Sequence, residues 1–284
     1  MIRQTTNEPR SQTSLESTPF HRYVFDDGTV WTEFHRSKVG YLLRFPGLAD
    51  FEVSADGTEV AAWPAEDTDE ATIEHLYINQ LVPLAMSRQG RPAFHASVVT
   101  VTGGAVALLG SAGAGKSTLA ASFALGEAGF LTDDALLVEE RDDGFYAIPS
   151  HPSLRLWADS VEALVGEPES LAGAICYSTK ARLLAGEALA HDVEPRRLLA
   201  AFRLGGNSEF VTIKPLAGSD RYRAWLDNSF LLDIEDRDLL AQHFDWTHRI
   251  SGAVPTFTLD YPRDFCMLPE VRDAIRRHVR KTGS

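Results

Sequence analysis

The spacing of hydrophobic residues changes along this chain, and each change predicts a different kind of structure. Residues 20–64 contain short runs of β-branched and aromatic residues, separated by the turn signals Asp26-Asp27-Gly28 and Ala55-Asp56-Gly57. We expect a small antiparallel β module there. Residues 70–87 carry apolar side chains at helical spacing, so we expect a linking helix, with a kink or an early stop at Pro83.

Beyond residue 90 the pattern alternates between strands and helices, which predicts an α/β domain with a mixed sheet. Two apolar runs, 96–101 and 105–109, predict strands joined by a glycine turn, and 116–128 predicts a helix that ends at Gly129. Residues 158–200 are expected to be mostly helical or irregular. Further strands are expected at 130–132, 135–138, 145–148, 210–215 and 257–259, and further helices at 228–250 and 268–281.

The polar residues 1–19 have no hydrophobic pattern, so we expect a disordered tail. The sequence therefore predicts three parts, which are a tail over 1–19, a β-rich module with a linking helix over 20–90, and an α/β domain over 91–284.

Composition narrows the classes of function. The net charge of −13 argues against a nucleic-acid partner, because phosphate backbones attract basic surfaces. Only two cysteines, Cys176 and Cys266, are present, which favours a reducing compartment. No apolar run approaches membrane-spanning length and the N-terminus has no apolar secretion core, so we expect a cytoplasmic protein without a membrane partner.

One nine-residue segment, 110–118, matches the pattern of a phosphate-binding loop, G-x-x-x-x-G-K-[ST]. Its residues are Gly110, Ser111, Ala112, Gly113, Ala114, Gly115, Lys116, Ser117 and Thr118. Glycines allow the main-chain N–H groups to turn toward phosphate oxygens, Lys116 can reach the β- and γ-phosphates, and the Ser117 hydroxyl can hold Mg²⁺. A strand before the loop and a helix after it complete the expected context, so we predict a site for ATP and Mg²⁺.

Two further features flank this loop. Asp133-Asp134 follows the loop helix, and such a pair can bind Mg²⁺ and accept the proton of an attacking hydroxyl. Adjacent acids are also typical of a simple turn. His95 stands before the strand that leads to the loop, where it either contacts phosphate and positions the base or only satisfies hydrogen bonds at a strand end.

Two basic residues are candidates for contacts with the transferred phosphate or the substrate. Arg155 lies in a strand-like segment and Lys180 in a polar turn. Developing charge on a transferred phosphoryl group must be met by cations, although either side chain can equally be an ordinary surface cation.

His95, the loop and Asp133-Asp134 together resemble the catalytic core of the bacterial HPr kinase/phosphorylase family. His95 stands 21 residues before Lys116 and Asp134 stands 18 residues after it, and both separations resemble the family pattern. The likeness covers about residues 90–215. The wider chain resembles HPr-kinase-related proteins of uncertain substrate, including those of peptide-tailoring clusters, in phrases such as 41–48, 94–99 and 260–264.

This resemblance implies a P-loop core of the HPr kinase/PEP-carboxykinase-like type and a serine kinase activity. By it, Asp134 is the general base, His95 is an active-site residue, Lys116 and Ser117 hold phosphate and Mg²⁺, and Asp133 assists the metal or the loop. The Glu-Arg-Gly-Leu-Gly segment of true HPr kinases, with its metal-binding glutamate, is missing here. The resemblance therefore does not extend to HPr as substrate or to the reverse phosphorolysis. Either another group completes the metal shell, or Mg²⁺ is held mainly by Ser117, phosphates and water.

We therefore expect an ATP-dependent phosphotransferase acting on a hydroxyl, with a serine of a peptide or protein partner as the first candidate acceptor. A kinase for a small hydroxylated metabolite and a non-catalytic nucleotide-binding regulator are the alternatives. Homo-oligomerisation is left open by the sequence.

Overall fold

The computed structural model describes residues 2–25, 27–126, 128–165, 180–186 and 189–282, and Cys176 lies outside them. Two compact units are present. The first comprises the residues up to Arg91 together with Leu231–Ala241, and the second comprises the other described residues. Within the described parts of the chain, no helix has both the length and the apolar character needed to cross a membrane.

The first unit is built on a six-stranded sheet with the order β1-β6-β5-β4-β3-β2. Neighbouring strands from β2 to β6 are antiparallel, as the alternating runs predict. The strands are β1 (Arg3–Thr6), β2 (His21–Val24), β3 (Val30–Arg36), β4 (Gly40–Phe45), β5 (Ala49–Ser54) and β6 (Glu59–Pro64). Phe34, Phe45 and Phe51 are fully buried in this unit, which gives the small sheet a hydrophobic core of its own.

Part of the expected disordered tail is ordered, which corrects the sequence prediction. Arg3–Thr6 forms β1 and pairs in parallel with β6. All four of its side chains are exposed, so no hydrophobic pattern signals the strand. Main-chain pairing and an exposed Arg3–Glu59 ion pair hold β1 in the sheet, and main-chain hydrogen bonds leave no trace in composition.

The linking helix is interrupted, as Pro83 predicts. α1 (Glu70–Leu76) passes into a wide π-helical turn at Tyr77–Leu81, and α2 (Val82–Arg88) continues from there with Pro83 in its first turn. Proline has no N–H and its ring crowds the carbonyl four residues earlier, which the wider turn accommodates.

Residues 231–241 return to the first unit through charged side chains. Arg36 forms an ion pair with the buried Asp233, and the Tyr41 hydroxyl donates to the same carboxylate at 2.8 Å. Arg88 pairs with Asp236 at 2.8 Å. The predicted helix at 228–250 is therefore wrong in its first part, and α6 (Arg237–Ala253) begins only after these contacts.

The second unit contains the remaining strands and helices. In chain order these are β7 (Ala93–Phe94), β8 (Ala96–Val101), β9 (Gly104–Leu109), α3 (Lys116–Ala124), β10 (Phe130–Thr132), β11 (Leu136–Arg141), β12 (Gly144–Ile148), β13 (Ser153–Leu156), α4 (Ala158–Leu164), β14 (Ala181–Leu184), β15 (Arg196–Asn207), β16 (Thr212–Pro215), α5 (Gly218–Leu226), the later part of α6, β17 (Thr256–Tyr261), a 3₁₀ turn (Phe265–Met267) and α7 (Leu268–Thr282).

Nine of these strands form a mixed sheet in which β15 is central. β15 pairs in parallel with β9 and β17 and in antiparallel with β12. The sequence analysis missed β15, because Arg196, Arg197 and two glycines hide its apolar centre. It also missed α5, and it extended the loop helix to 128, whereas α3 ends at Ala124, whose carbonyl accepts from the Ala190 amide.

Both faces of this sheet are covered. All six residues of β9 are buried. Val106 and Leu108 pack with Leu119 of α3 and Ile275 of α7, whereas Ala105, Ala107 and Leu109 belong to the cluster with Trp225 and Ile250. Burial on both faces is typical of strands with parallel neighbours, and it holds the carboxyl end of β9 in a fixed position.

Candidate functional site

The loop between β9 and α3 has the backbone that a phosphate-binding loop requires. Gly110, Gly113 and Gly115 have φ angles of 144°, 79° and 88°. A Cβ added at Gly115 would also lie 3.2 Å from the Arg263 guanidinium. Other residues adopt such angles at a cost, so the glycines of the sequence pattern are explained by the turn that they make.

Lys116, the first residue of α3, points back over the loop. Its ammonium donates to the carbonyl oxygens of Gly110 at 2.6 Å and Ser111 at 3.1 Å, and the residue is only 6% exposed. Burial lowers the pKa of Lys116 to about 8, although the charges of Asp133 and Asp134 oppose this shift. The ammonium is therefore mostly protonated at neutral pH and lies at the loop.

The Asp133 carboxylate is held by the Asp133 cluster, which we define as Ser97, Ser117, Asp133 and the main-chain N–H of Arg155. Ser97 Oγ donates to Asp133 at 2.5 Å, Ser117 Oγ at 3.0 Å and the Arg155 amide at 3.1 Å. Burial, followed by repulsion from Asp134, raises the pKa of Asp133 to about 6 despite these hydrogen bonds. The predicted Mg²⁺ ligand Ser117 thus contacts the predicted second ligand directly.

Asp134 differs from its neighbour in backbone and in contacts. Its φ of 68° is the only positive value of a non-glycine residue in the described part of the chain. Aspartate tolerates this conformation better than most residues. The Asp134 carboxylate lies 3.5 Å from Nη1 of Arg155 and its main-chain carbonyl faces His95. Two adjacent carboxylates therefore have different partners, as a metal ligand and a base would require.

His95 is neutral in this environment. Its Nδ1 lies 2.9 Å from the carbonyl oxygen of Asp134. A carbonyl only accepts, so we assign the proton to Nδ1, which leaves Nε2 as an acceptor. Burial and the charge of Lys116 lower the pKa of His95 to about 4. The histidine thus supports the turn that presents Asp134.

The two basic candidates lie in different surroundings. Arg155, on β13, contacts both carboxylates of the pair, through its main-chain amide and through its guanidinium. Lys180 lies 5.1 Å from the ring centroid of Trp157, a half-exposed residue at the N-terminus of α4. The charge of Lys180 also lowers the pKa of both His95 and Lys116, which indicates that its ammonium is near them.

Two residues that sequence reasoning did not assign hold the loop in position. Asn228, which follows α5, accepts the Gly110 N–H through Oδ1 at 3.2 Å and the His95 N–H through its carbonyl at 2.5 Å. Arg263, just beyond β17, donates to the carbonyls of Ala114 at 2.8 Å and Gly205 at 2.5 Å. No local signal marks Asn228. Arg263 belongs to the segment 260–264, and the sequence signal that could have identified it is a basic residue directly after a strand.

The donor set of the Asp133 cluster fits Mg²⁺. This ion is usually held by one or two carboxylates together with phosphate oxygens and water, rather than by a complete protein cage. Asp133 and Ser117 supply one carboxylate and one hydroxyl beside the loop. The described residues contain no group of three His, Cys, Asp or Glu side chains suited to a metal ion. Cys266 is a free, exposed thiol.

Comparison with known proteins gives a distant structural similarity. No protein-family model matches the sequence, and no curated protein matches it. Among solved structures, the Hpr(Ser) kinase/phosphatase from Coxiella burnetii is similar with a TM-score of 0.37 and 10% sequence identity, over 68% of this chain and 99% of that chain. The similarity is distant, and it provides neither an activity nor a substrate for this chain.

Proposed function

We propose that this chain is an ATP-dependent phosphotransferase that transfers the γ-phosphate to a hydroxyl, and that the acceptor is a serine of a peptide or protein. One observation carries the proposal. The Ser117 hydroxyl of the loop donates to the buried Asp133 at 3.0 Å, while the adjacent Asp134 carboxylate lies 3.5 Å from the Arg155 guanidinium. A module that only binds nucleotide has no need of a second carboxylate beside the Mg²⁺ ligand.

In this proposal each side chain has a separate role. The main-chain N–H groups of the loop and Lys116 bind the triphosphate, and Mg²⁺ held through Ser117 and Asp133 would neutralise charge on it. Arg155 orients Asp134 and meets charge on the transferred group. Lys180 is the second candidate for the phosphate or the acceptor.

The chemical step needs one base. Asp134 accepts the proton of the acceptor hydroxyl as that oxygen forms a bond to the γ-phosphorus, and the bond from the γ-phosphorus to the bridging oxygen breaks to release ADP. His95 does not take this proton in the proposal, because its Nδ1–H is already bonded to Asp134 and its pKa is low. It keeps the Asp134 turn in place as a positioning residue.

The proposal is tested by transfer of labelled γ-phosphate from ATP to two panels of acceptors, serine peptides and hydroxylated metabolites. We expect Asp134→Asn to lower kcat about 100-fold or more, the usual effect of losing a general base, with ATP affinity nearly unchanged. Lys116→Ala is expected to lose ATP binding. The matched control is Asp142→Asn, an exposed carboxylate in the β11–β12 turn, which should leave both quantities unchanged.

Each contrary result has a definite meaning. Normal transfer by Asp134→Asn would exclude the kinase mechanism, and normal ATP binding by Lys116→Ala would exclude the nucleotide site. Transfer only to metabolites would assign the small-molecule alternative. ATP binding without transfer to either panel would favour a regulator.

A further inference from the structure

The N-terminal segment lies along one edge of the first unit as an added peptide strand. Beyond the parallel pairing of β1 with β6, it continues over residues 7–12. Three of its main-chain amides donate to carbonyls on or directly before β6: Arg3 to Thr58, Asn7 to Ala62 and Arg10 to Pro64, each at 2.9 Å. This is the arrangement in which sheet edges bind extended peptides, with main-chain hydrogen bonds supplying the affinity.

The segment is attached with little burial. Every side chain of β1 is exposed, so this strand adds nothing to the hydrophobic core. Parallel pairing of four residues is weak, and exposed main-chain hydrogen bonds with little apolar contact are the first to open. The edge of β6 is therefore covered by a strand that can leave without disrupting the core of the sheet.

Side chains beyond β1 are recognised more specifically. The Gln12 amide donates to the Phe45 carbonyl at 3.1 Å and to Asp50 at 2.9 Å, and its oxygen accepts the Gly47 N–H at 2.8 Å. The Arg10 guanidinium lies 4.4 Å from the centroid of the Trp63 ring. These contacts use both polar atoms of the Gln12 side-chain amide and place one face of the Arg10 guanidinium against the Trp63 ring.

The charges along this edge are complementary to the segment. Arg3 pairs with Glu59 at 2.9 Å. Arg10 lies 3.8 Å from Asp50, a buried carboxylate that also pairs with Arg44 at 2.8 Å. Glu59 is thus an exposed carboxylate that the edge presents to an occupant with an arginine at the Arg3 position. A peptide with basic residues at this spacing gains from the same charges.

We propose that this surface, the docking edge, binds an extended basic peptide of a partner protein. It comprises the side of β6 that β1 covers, from Thr58 to Pro64, together with the Phe45–Asp50 turn. The partner peptide pairs with β6 in place of Arg3–Thr6 and places an amide side chain in the Gln12 position. This inference does not depend on phosphotransfer, because all of its contacts lie in the first unit.

The tethered segment sets the affinity that a partner needs. A segment of the same chain competes at an effective concentration in the millimolar range, so a partner must exceed it through tighter contacts or a second attachment. A separate peptide with the chain's own sequence should consequently bind poorly to the wild-type protein and well to a full-length variant whose segment is released.

The experiment uses a fluorescent peptide with the sequence of residues 2–14 and the full-length chain. Asn7→Pro with Gln12→Ala releases the segment, because the first change removes the amide that bonds Ala62 and the second removes the glutamine contacts. We expect fluorescence anisotropy to report at least tenfold tighter binding to this variant than to wild type. A peptide altered to alanine at the Arg10 and Gln12 positions should bind at least tenfold more weakly.

Three results would overturn the proposal. The first is that the peptide does not bind to the released variant although the circular dichroism and melting of that variant are unchanged. The second is that a scrambled peptide binds as tightly as the peptide of residues 2–14. The third is a concentration-dependent dimer of the variant, which would assign the edge to a second copy of the chain. If the variant does not fold, a protease site inserted between Ser14 and Leu15 of the wild-type chain provides the test. After cleavage, the labelled peptide should replace the bound segment within hours, and lack of exchange would show that the segment is a permanent strand.

Discussion

Two buried aspartates, one in each unit, are surrounded in opposite ways. Asp133 and Asp233 are 5% and 1% exposed. We call Asp233, Arg36, Tyr41 and the amides that follow Asp233 the Asp233 cluster. Burial would raise the pKa of Asp233, but hydrogen bonds from Arg36 and Tyr41 hold this pKa below its usual value. Burial and Asp134 raise the pKa of Asp133.

The difference teaches what each carboxylate is for. Asp233 has a guanidinium partner, so its charge is compensated and the contact serves to attach residues 231–241. Asp133 is bonded, within the described residues, by hydroxyl and amide groups only, although its charge raises the pKa of Lys116. A buried carboxylate without a directly bonded counter-charge is costly, which is why such groups are concentrated at functional sites. A divalent cation would supply the missing charge.

The largest expected effect on stability is in the Asp233 cluster. Asp233→Asn replaces a buried carboxylate oxygen, which accepts from Arg36 and Tyr41, by an NH₂ group that cannot accept, so we expect the free energy of unfolding to fall by about 3 kcal/mol. Urea denaturation measures this value. The matched control is Glu235→Gln, which changes an exposed partner of Arg36 and should cost less than about 0.5 kcal/mol. Equal losses of unfolding free energy in Asp233→Asn and Glu235→Gln would mean that Asp233 contributes no more than an exposed carboxylate, and its contrast with Asp133 would be wrong.

Asp133→Asn is expected to raise the free energy of unfolding, whereas Asp233→Asn lowers it. The folded protein holds the pKa of Asp133 at about 6, above the pKa of 3.8 that an aspartate side chain has in water. Between these pH values the folded state therefore binds more protons than the unfolded state. The free-energy cost of holding the ionised Asp133 in the folded protein is absent below pH 4 and complete above pH 6. We expect the variant, without nucleotide and in EDTA, to be about 2–3 kcal/mol more stable than wild type at pH 7.5, since one pKa unit corresponds to about 1.4 kcal/mol.

Denaturation of wild type and Asp133→Asn at several pH values checks this prediction. The stability difference should vanish near pH 4, while Asp142→Asn shows no such pH dependence. Phosphate transfer by Asp133→Asn should fall although the protein is more stable. A variant that is less stable at pH 7.5 would mean that the charge of Asp133 is already compensated.

The smallest expected effects come from removing one hydroxyl in each cluster. Ser97→Ala deletes a 2.5 Å hydrogen bond to Asp133, and Tyr41→Phe deletes a 2.8 Å bond to Asp233. Bonds to charged groups contribute about 1.5–3 kcal/mol, and the loss should be larger where fewer donors remain. We expect about 2 kcal/mol for Ser97→Ala and about 1 kcal/mol for Tyr41→Phe by urea denaturation. The reverse order would contradict the comparison.

The sequence predicted what is local in this molecule. The five antiparallel strands of the first unit, the interruption near Pro83 and the strand, loop and helix around 110–118 all follow from spacing over a few residues. β15 was missed because charged residues and glycines mask its burial, and α5 was missed because its apolar face is narrow. The assignment of roles to His95, Asp133 and Asp134 stays a prediction.

The remaining part of the candidate site depends on contacts between distant segments. Asn228 reaches Gly110 across 118 positions of the chain, and no property of residues near Asn228 indicates this. The different pKa shifts of Asp133 and Asp233 likewise depend on partners far away in sequence. Spacing indicates which residues belong to a site, whereas the partners that set their charge come only from the fold.

The contact between Arg263 and Ala114 joins residues that are 149 positions apart. Closing so long a loop is slow compared with forming a local hairpin or helix. On the ribosome, the glycine turn at 110–115 emerges long before the guanidinium that fastens it, because Arg263 follows β17. The loop is therefore completed only after β17 has joined β15.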